Sequence, residues 1–396
     1  MGKGLGMPLR LCASALILGV LAGCLSSVDQ AAYEGRLSVR DFGAKGDGVT
    51  DDTAAIQRAI DFTAERGGGR IFFPFTPNGY RIASPGRETY DGRPLRAQLV
   101  IPPGKANILF EGEMPCKLLY AYQVRPQDVS KTFRPTRFGS NVLANTCLFS
   151  DWTAPEERDP EARPWAILAA PEGTSCAGRF SASLVSIANL EFRVRLDKDR
   201  MYPTESAVNL QNVSRAIVRD SQFCLDDAVG DAVLGKELQA NPCHTVGLMM
   251  SGDQNDDQVL DNVAVQGFRY GFVFGEHVTA NRLYVHNCEE GIVFHDATHL
   301  AMIDGVVAQH NRIVLSTTRE RLFGHRKGVC NVVVRGLDYE HGAGTRPVSS
   351  RMEYGIYDPE NRFRGSVVHH LGFPGNGMSF FPVVGGTNMA VRVWGP

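Results

Sequence analysis

Val39-Arg40-Asp41-Phe42-Gly43-Ala44-Lys45-Gly46-Asp47-Gly48-Val49-Thr50-Asp51-Asp52-Thr53-Ala54-Ala55-Ile56-Gln57-Arg58-Ala59-Ile60 is the stretch on which the reading of the whole chain turns. A short strand leads into a turn rich in Gly and Asp. A helix begins just after Thr50 or Asp51, where either side chain caps free N–H groups and Asp51 and Asp52 complement the positive end of the helix dipole. Ala55, Ile56, Ala59, Ile60 and Thr63 recur at helical spacing, so the helix has one apolar face, and Gly67 to Gly69 end it. Arg70 to Pro74 then read as a strand, Asn78-Gly79 as a turn and Tyr80 to Ile82 as the returning strand.

The run from Val39 to Ile60 resembles, almost without a break, the N-terminal segment of the pectate-lyase-like superfamily, Val-x-Asp-Phe-Gly-Ala-x-Gly-Asp-Gly-x-x-Asp-Asp-Thr-x-Ala-Ile-x-x-Ala-Ile. The resemblance implies an all-β fold, a right-handed single-stranded parallel β-helix, with the helix covering the open end of the solenoid. That end would otherwise expose apolar core and unpaired strand edges. Asp47, Asp51 and Asp52 are then architectural, as turn and cap residues.

A solenoid should show weak self-similarity at a period of roughly 20 to 30 residues. Gly271-Phe272-Val273-Phe274 recurs as Gly291-Ile292-Val293-Phe294 and again as Arg312-Ile313-Val314-Leu315, with Asn281 to Val285 and Met302 to Val306 in matching places between them. The chain from Leu99 onward has room for on the order of ten such coils. Asp128 to Pro164 and Leu234 to Pro242 break the rhythm with Pro and charge and read as insertions from one side, where solenoids build binding sites.

Lys3 and Arg10 precede an apolar stretch from Leu11 to Val20, too short to span a bilayer, which needs ~20 apolar residues. Leu21-Ala22-Gly23-Cys24 then resembles the lipobox of bacterial lipoproteins, which implies a signal peptide over 1–23, Cys24 as the lipidated mature N-terminus, a tether over 24–36 and a single β-helix domain over 37–396. Leu25 after the Cys points to the outer membrane of a diderm envelope. A net charge of -2 leaves no basic footprint for nucleic acid. Seven cysteines beyond the signal are odd in number and contain no CxxC pair. Cys224 with Cys243 is the disulfide to test first, and a Cys turned into the stacked core as a small hydrophobe is the other reading.

The family implied by the cap includes hydrolases, eliminases, epimerases and members with no known activity, so function has to come from the site. The first candidate set lies in Asp220 to Asp231. Asp226-Asp227 is similar to the paired Asp of polygalacturonase-type hydrolases, whose inverting chemistry needs two carboxyl groups ~6.5 to 9.5 Å apart. The resemblance carries Asp226, Asp227 and His244 as candidate catalytic residues, and the same acidic run adds Asp231. The chain departs from that pattern with Pro203-Thr204-Glu205 and Cys243-His244-Thr245 where the hydrolases have Asn-Thr-Asp and Gly-His-Gly. An Asp-rich turn accounts for the same residues without chemistry.

Ser251 to Asp257 is a second acidic run, in which Asp253, Asp256 and Asp257 offer oxygens for Ca2+, which eliminases of the superfamily often use; a solvated turn is the alternative. The repeat alignment gives a third set: Arg269, Glu289 and His310 in one column, with Tyr270, Glu290 and Asn311 beside it. Glu289 and His310 would then act as acid and base, with Arg269 gripping an anionic sugar. A surface ladder of mutually satisfied charges is the other reading of that column. The function expected is an exported enzyme, glycoside hydrolase or polysaccharide lyase, on an acidic polysaccharide, and its rival is a non-catalytic β-helix that binds glycan or scaffolds an envelope assembly.

Overall fold

A computed structural model describes residues 37–114, 116, 145–159, 162–173, 182–196, 202–225, 245–250, 257–295, 298, 300–309, 311–317, 331–340, 354–359, 361–363, 366–371, 383–385 and 389–394. Strands of successive coils stack in parallel register into two long sheets, and each coil presents three faces. The first and second faces share a sheet. In Val213–Leu225, Asp257–Gln266, His277–His286, Leu300–Gln309 and Val332–Glu340 one strand turns from the first face to the second. The third face is the other sheet and includes Arg93–Val100, Trp165–Ala169, Glu205–Asn209, Val246–Met250, Tyr270–Phe274, Glu290–Phe294 and Ile313–Ser316. The expected parallel β-helix is the architecture found.

The bend between the first and second faces has a local cause. Asn189, Asp220, Asn262, Arg282, Gly305 and Gly336 occupy one column, all with φ between 47° and 74°. Gly, Asn and Asp tolerate the left-handed region best. The column is tied by side chains, since Asn262 Nδ2 donates to Asp220 Oδ1 at 2.7 Å. Arg282 is the costly member, and its guanidinium is held by Asp261 at 2.9 Å.

The interior is a stack of apolar columns, with Phe192 on Phe223 at 5.7 Å and Phe294 edge-on to Phe363 at 5.5 Å. The recurring Gly of the third face has a steric reason. A Cβ on Gly271 would strike the Gly291 carbonyl oxygen and crowd Val285 and Cys288.

The helix, α1 (Thr53–Glu65), buries Ala55, Ile56, Ala59, Ile60 and Thr63, the stripe expected. It starts one or two residues later than the sequence predicts. Asp51 Oδ1 accepts from the Thr53 backbone at 3.1 Å, while Asp52 is fully buried and accepts from the backbones of Lys45 at 2.6 Å and Gly46 at 2.9 Å. Burial works to raise the Asp51 carboxyl, but hydrogen bonds from Ser84, Thr53 and Ala83 outweigh it and hold the group down to about 2. Burial pushes Asp52 up, against the two backbone donors.

Two sequence expectations are corrected. Tyr80–Ile82 does not return beside Gly68–Phe73; it pairs in parallel with Cys147–Ser150, because it opens the second face of its coil rather than closing a hairpin. The hairpin of this region is Arg87–Tyr90 with Arg93–Val100, turned by Asp91 and Gly92, both at positive φ. The register at Arg312 is also different. Tyr270 stacks on Glu290 and Glu290 on Ile313, not Asn311. Two residues separate Phe274 from His277 but five separate Phe294 from Leu300, so the longer turn moves the next coil along.

Candidate functional site

The corner where the second face meets the third carries a continuous column of side chains, Trp165, Glu205, Thr245, Arg269, Glu289 and Arg312, one from each of six successive coils. Arg269 and Glu289 are neighbours as expected, with Nε 3.4 Å from Oε2. The third place belongs to Arg312, whose Nη1 lies 2.9 Å from Glu289 Oε1, and His310 lies outside the described residues. One carboxylate between two guanidinium groups makes a net positive triad. Arg269 and Glu289 are about nine-tenths buried, so their attraction is screened less than that of a surface pair.

Beside the triad, on the outer side of the third face, Glu290 follows Tyr270 in register and accepts from Ser316 Oγ. Val246, Met249, Tyr270, Val273 and Val293 form a cluster separate from the main core. Glu290 is therefore a buried carboxylate bordered by apolar side chains and reached by a hydroxyl. Sequence reading put it only beside the expected pair. The available signal was its alignment with Tyr270 across a 20-residue interval.

Asp226, Asp227, Asp231 and His244 lie outside the described residues, but the positions flanking them are clear. Leu225 ends the second face against Gly267, and Thr245 is the rung neighbour of Arg269, whose backbone N–H it accepts at 2.9 Å. Asp253, Asp256 and Cys24 also lie outside. Asp257 opens the next first face and pairs with Arg215 at 3.5 Å, both largely exposed. Among the described residues no group of three His, Cys, Asp or Glu side chains is placed to hold a metal ion.

Glu205, at the point of departure from the hydrolase pattern, is a clasp. Its buried carboxylate accepts from the backbones of Ala154 at 2.9 Å and Thr204 at 2.9 Å, fixing the segment after Ser150 to the corner. Glu191 and Arg193 make a buried ion pair on the second face, and Asn145 donates to Glu191 at 2.8 Å. Cys116, Cys147, Cys224 and Cys288 are buried; Cys288 alone of these joins the main core, and Cys243, the partner expected for Cys224, lies outside the described residues. Burial pushes the Cys288 thiol up to about 12 and raises Cys116 and Cys147 well above the usual thiol value.

Residues 37–90 match the family described as rhamnogalacturonase A/epimerase, pectate lyase-like. Alginate lyase 7 of Azotobacter vinelandii is 54% identical over 55 residues, 14% of this chain and 6% of that protein. Plasmin and fibronectin-binding protein A of Streptococcus pneumoniae is 59% identical over 39 residues, 10% of this chain and 5% of that protein. These alignments therefore span a small fraction of either partner. A tailspike protein of E. coli bacteriophage HK620 overlays on 86% of this chain and 58% of its own at 14% identity, with a TM-score of 0.44. At that value the fold is argued from this chain's own strand order. Residues 37–90 thus carry a cap similar to that of the rhamnogalacturonase A/epimerase, pectate lyase-like family, sealed by α1 onto parallel coils that continue to Trp394, the strand order of a parallel β-helix.

Proposed function

We propose that the protein is a carbohydrate-active enzyme that cleaves an acidic polysaccharide at the outer side of the third face. The observation that carries this reading is the net positive Arg269–Glu289–Arg312 triad next to the buried carboxylate of Glu290. β-Elimination from a uronate requires neutralisation of the sugar carboxylate, removal of the neighbouring proton and protonation of the leaving oxygen. The guanidinium groups supply the first requirement, and Glu290, with Tyr270 at the next rung, supplies a proton-transfer group within the same strip. Hydrolysis would instead draw on Asp226, Asp227, Asp231 and His244, whose flanking residues Leu225 and Thr245 border that strip. The family match over residues 37–90 and the 55-residue similarity to an alginate lyase support the polysaccharide class.

The test is incubation of the protein with a panel of uronic-acid and neutral polysaccharides, following reducing ends and the ultraviolet absorbance of unsaturated products. Product from an acidic polymer is expected, and silence across the panel would overturn the reading. The second reading, a glycan-binding or scaffolding β-helix without catalysis, is favoured by Glu205, which serves as a structural clasp where the hydrolases have a working Asp. Retardation in affinity gels without product would select it. Lipidation of Cys24 and attachment to the outer membrane belong to the same proposal and are supported by the box Leu21 to Cys24. Labelled palmitate appearing equally in the Cys24→Ala protein would refute it.

A further inference from the structure

Among the described residues Arg158 is one of six arginines that lie over aromatic rings. Arg70, Arg96 and Arg269 each stack on a ring and also pair with a carboxylate, respectively Glu111, Glu157 and Glu289. The Arg158 guanidinium lies 4.5 Å from the centre of the Tyr202 ring and, among the described residues, makes no ion pair. Acid groups are near in sequence, but Glu157 accepts from the backbones of Arg158 and Asp159 and takes Arg96 as its charged partner. The ring thus lies against an exposed guanidinium whose donor fork no carboxylate among the described residues takes, a group suited to bidentate binding of a carboxylate.

Its position matters as much as its chemistry. Tyr202 leads through Pro203 and Thr204 into Glu205, and the Glu205 carboxylate clasps Ala154, four residues before Arg158. Glu205 and Arg269 stand in the same corner column two rungs apart, about 10 Å along the solenoid axis, on the order of the length of a disaccharide.

We propose that Arg158, laid on Tyr202, is a second receptor for an acid group of the polymer, displaced towards the N-terminal end of the corner from the Arg269–Glu289–Arg312 triad. This rests on the reading that the corner binds an acidic polysaccharide. A chain long enough to reach both places gains from both, whereas a fragment confined to the triad does not.

The test is titration of the full-length protein with a long uronate polymer and with a uronate disaccharide, comparing wild type with Arg158→Ala, Arg158→Lys and Tyr202→Phe. Loss of a charge-assisted bidentate contact should weaken polymer binding about tenfold in Arg158→Ala. Arg158→Lys should recover part of the loss, Tyr202→Phe should bind as wild type, and disaccharide affinity should be equal in all four. Wild-type polymer affinity in Arg158→Ala, with the wild type itself binding, would overturn the second receptor and leave the proposed function standing. Failure of the wild type to bind any acidic polymer would overturn both.

Discussion

The cap over residues 37–90 and the corner around Arg269 both carry dense charge, yet they use it in opposite ways. In the Asp-rich turn of the cap the carboxylates are committed to backbone N–H groups. Asp47 accepts from Val49 and Thr50, Asp51 from Thr53 and Ala83, and Asp52 from Lys45 and Gly46. At the corner the charges come from different coils and face one another across rungs. Local commitment makes the cap independent of the coils that follow it, whereas the corner exists only once successive coils have stacked. The family match over residues 37–90 falls on the locally committed region.

The contrast is broken most severely at the cap. Ile56 is fully buried on the face of α1 that seals the first coil. Ile56→Asp should cost several kcal/mol, about 3 to 5, for an uncompensated buried charge. Thermal unfolding should show a collapse of the transition or no folded protein, and an unchanged melting temperature would mean that α1 does not close the solenoid.

A smaller effect separates cap electrostatics from corner chemistry. Because the folded Asp51 sits at about 2, below its unfolded value, its ionised form stabilises the protein above the unfolded value and loses that contribution as pH falls through 2. Discounted for its exposure, the advantage of wild type over Asp51→Asn should be about 1 kcal/mol at pH 6 and should vanish towards pH 2. Chemical denaturation across that range checks it, and an advantage independent of pH would assign Asp51 a purely steric role.

The smallest expected signal is chemical silence. Cys116, Cys147 and Cys288 are buried with raised thiols, so alkylating reagents should leave all three untouched in the native protein and label them on unfolding. Native labelling read by mass spectrometry would show that the coils open at those positions.

How much of this was legible follows from the same contrast. The cap could be read because its instructions are local: the apolar period of α1, the Asp-rich turn and the terminating glycines all act within a few residues. The coils could be read as coils because Gly271 and Gly291 mark a column where a Cβ does not fit. The corner could be read only in part. Arg269 and Glu289 were identified because Gly271 and Gly291 set their register correctly. Arg312 was missed because Ile313-Val314-Leu315 imitates Ile292-Val293-Phe294 while the turn before Leu300 is longer. Glu205 as a clasp had no sequence signal, since its partner at Ala154 is 51 residues away.

The central claim is that chemistry occurs on the outer side of the third face, and it is tested most directly by turnover in Glu290→Gln. The amide still accepts from Ser316 and keeps the volume, so the melting temperature should stay close to that of wild type. Removal of a general acid or base costs ~10² to 10⁴ in rate, and turnover of the acidic polymer selected by the panel should fall within that range. Wild-type turnover in a folded Glu290→Gln protein would contradict the account and move the chemistry away from this strip.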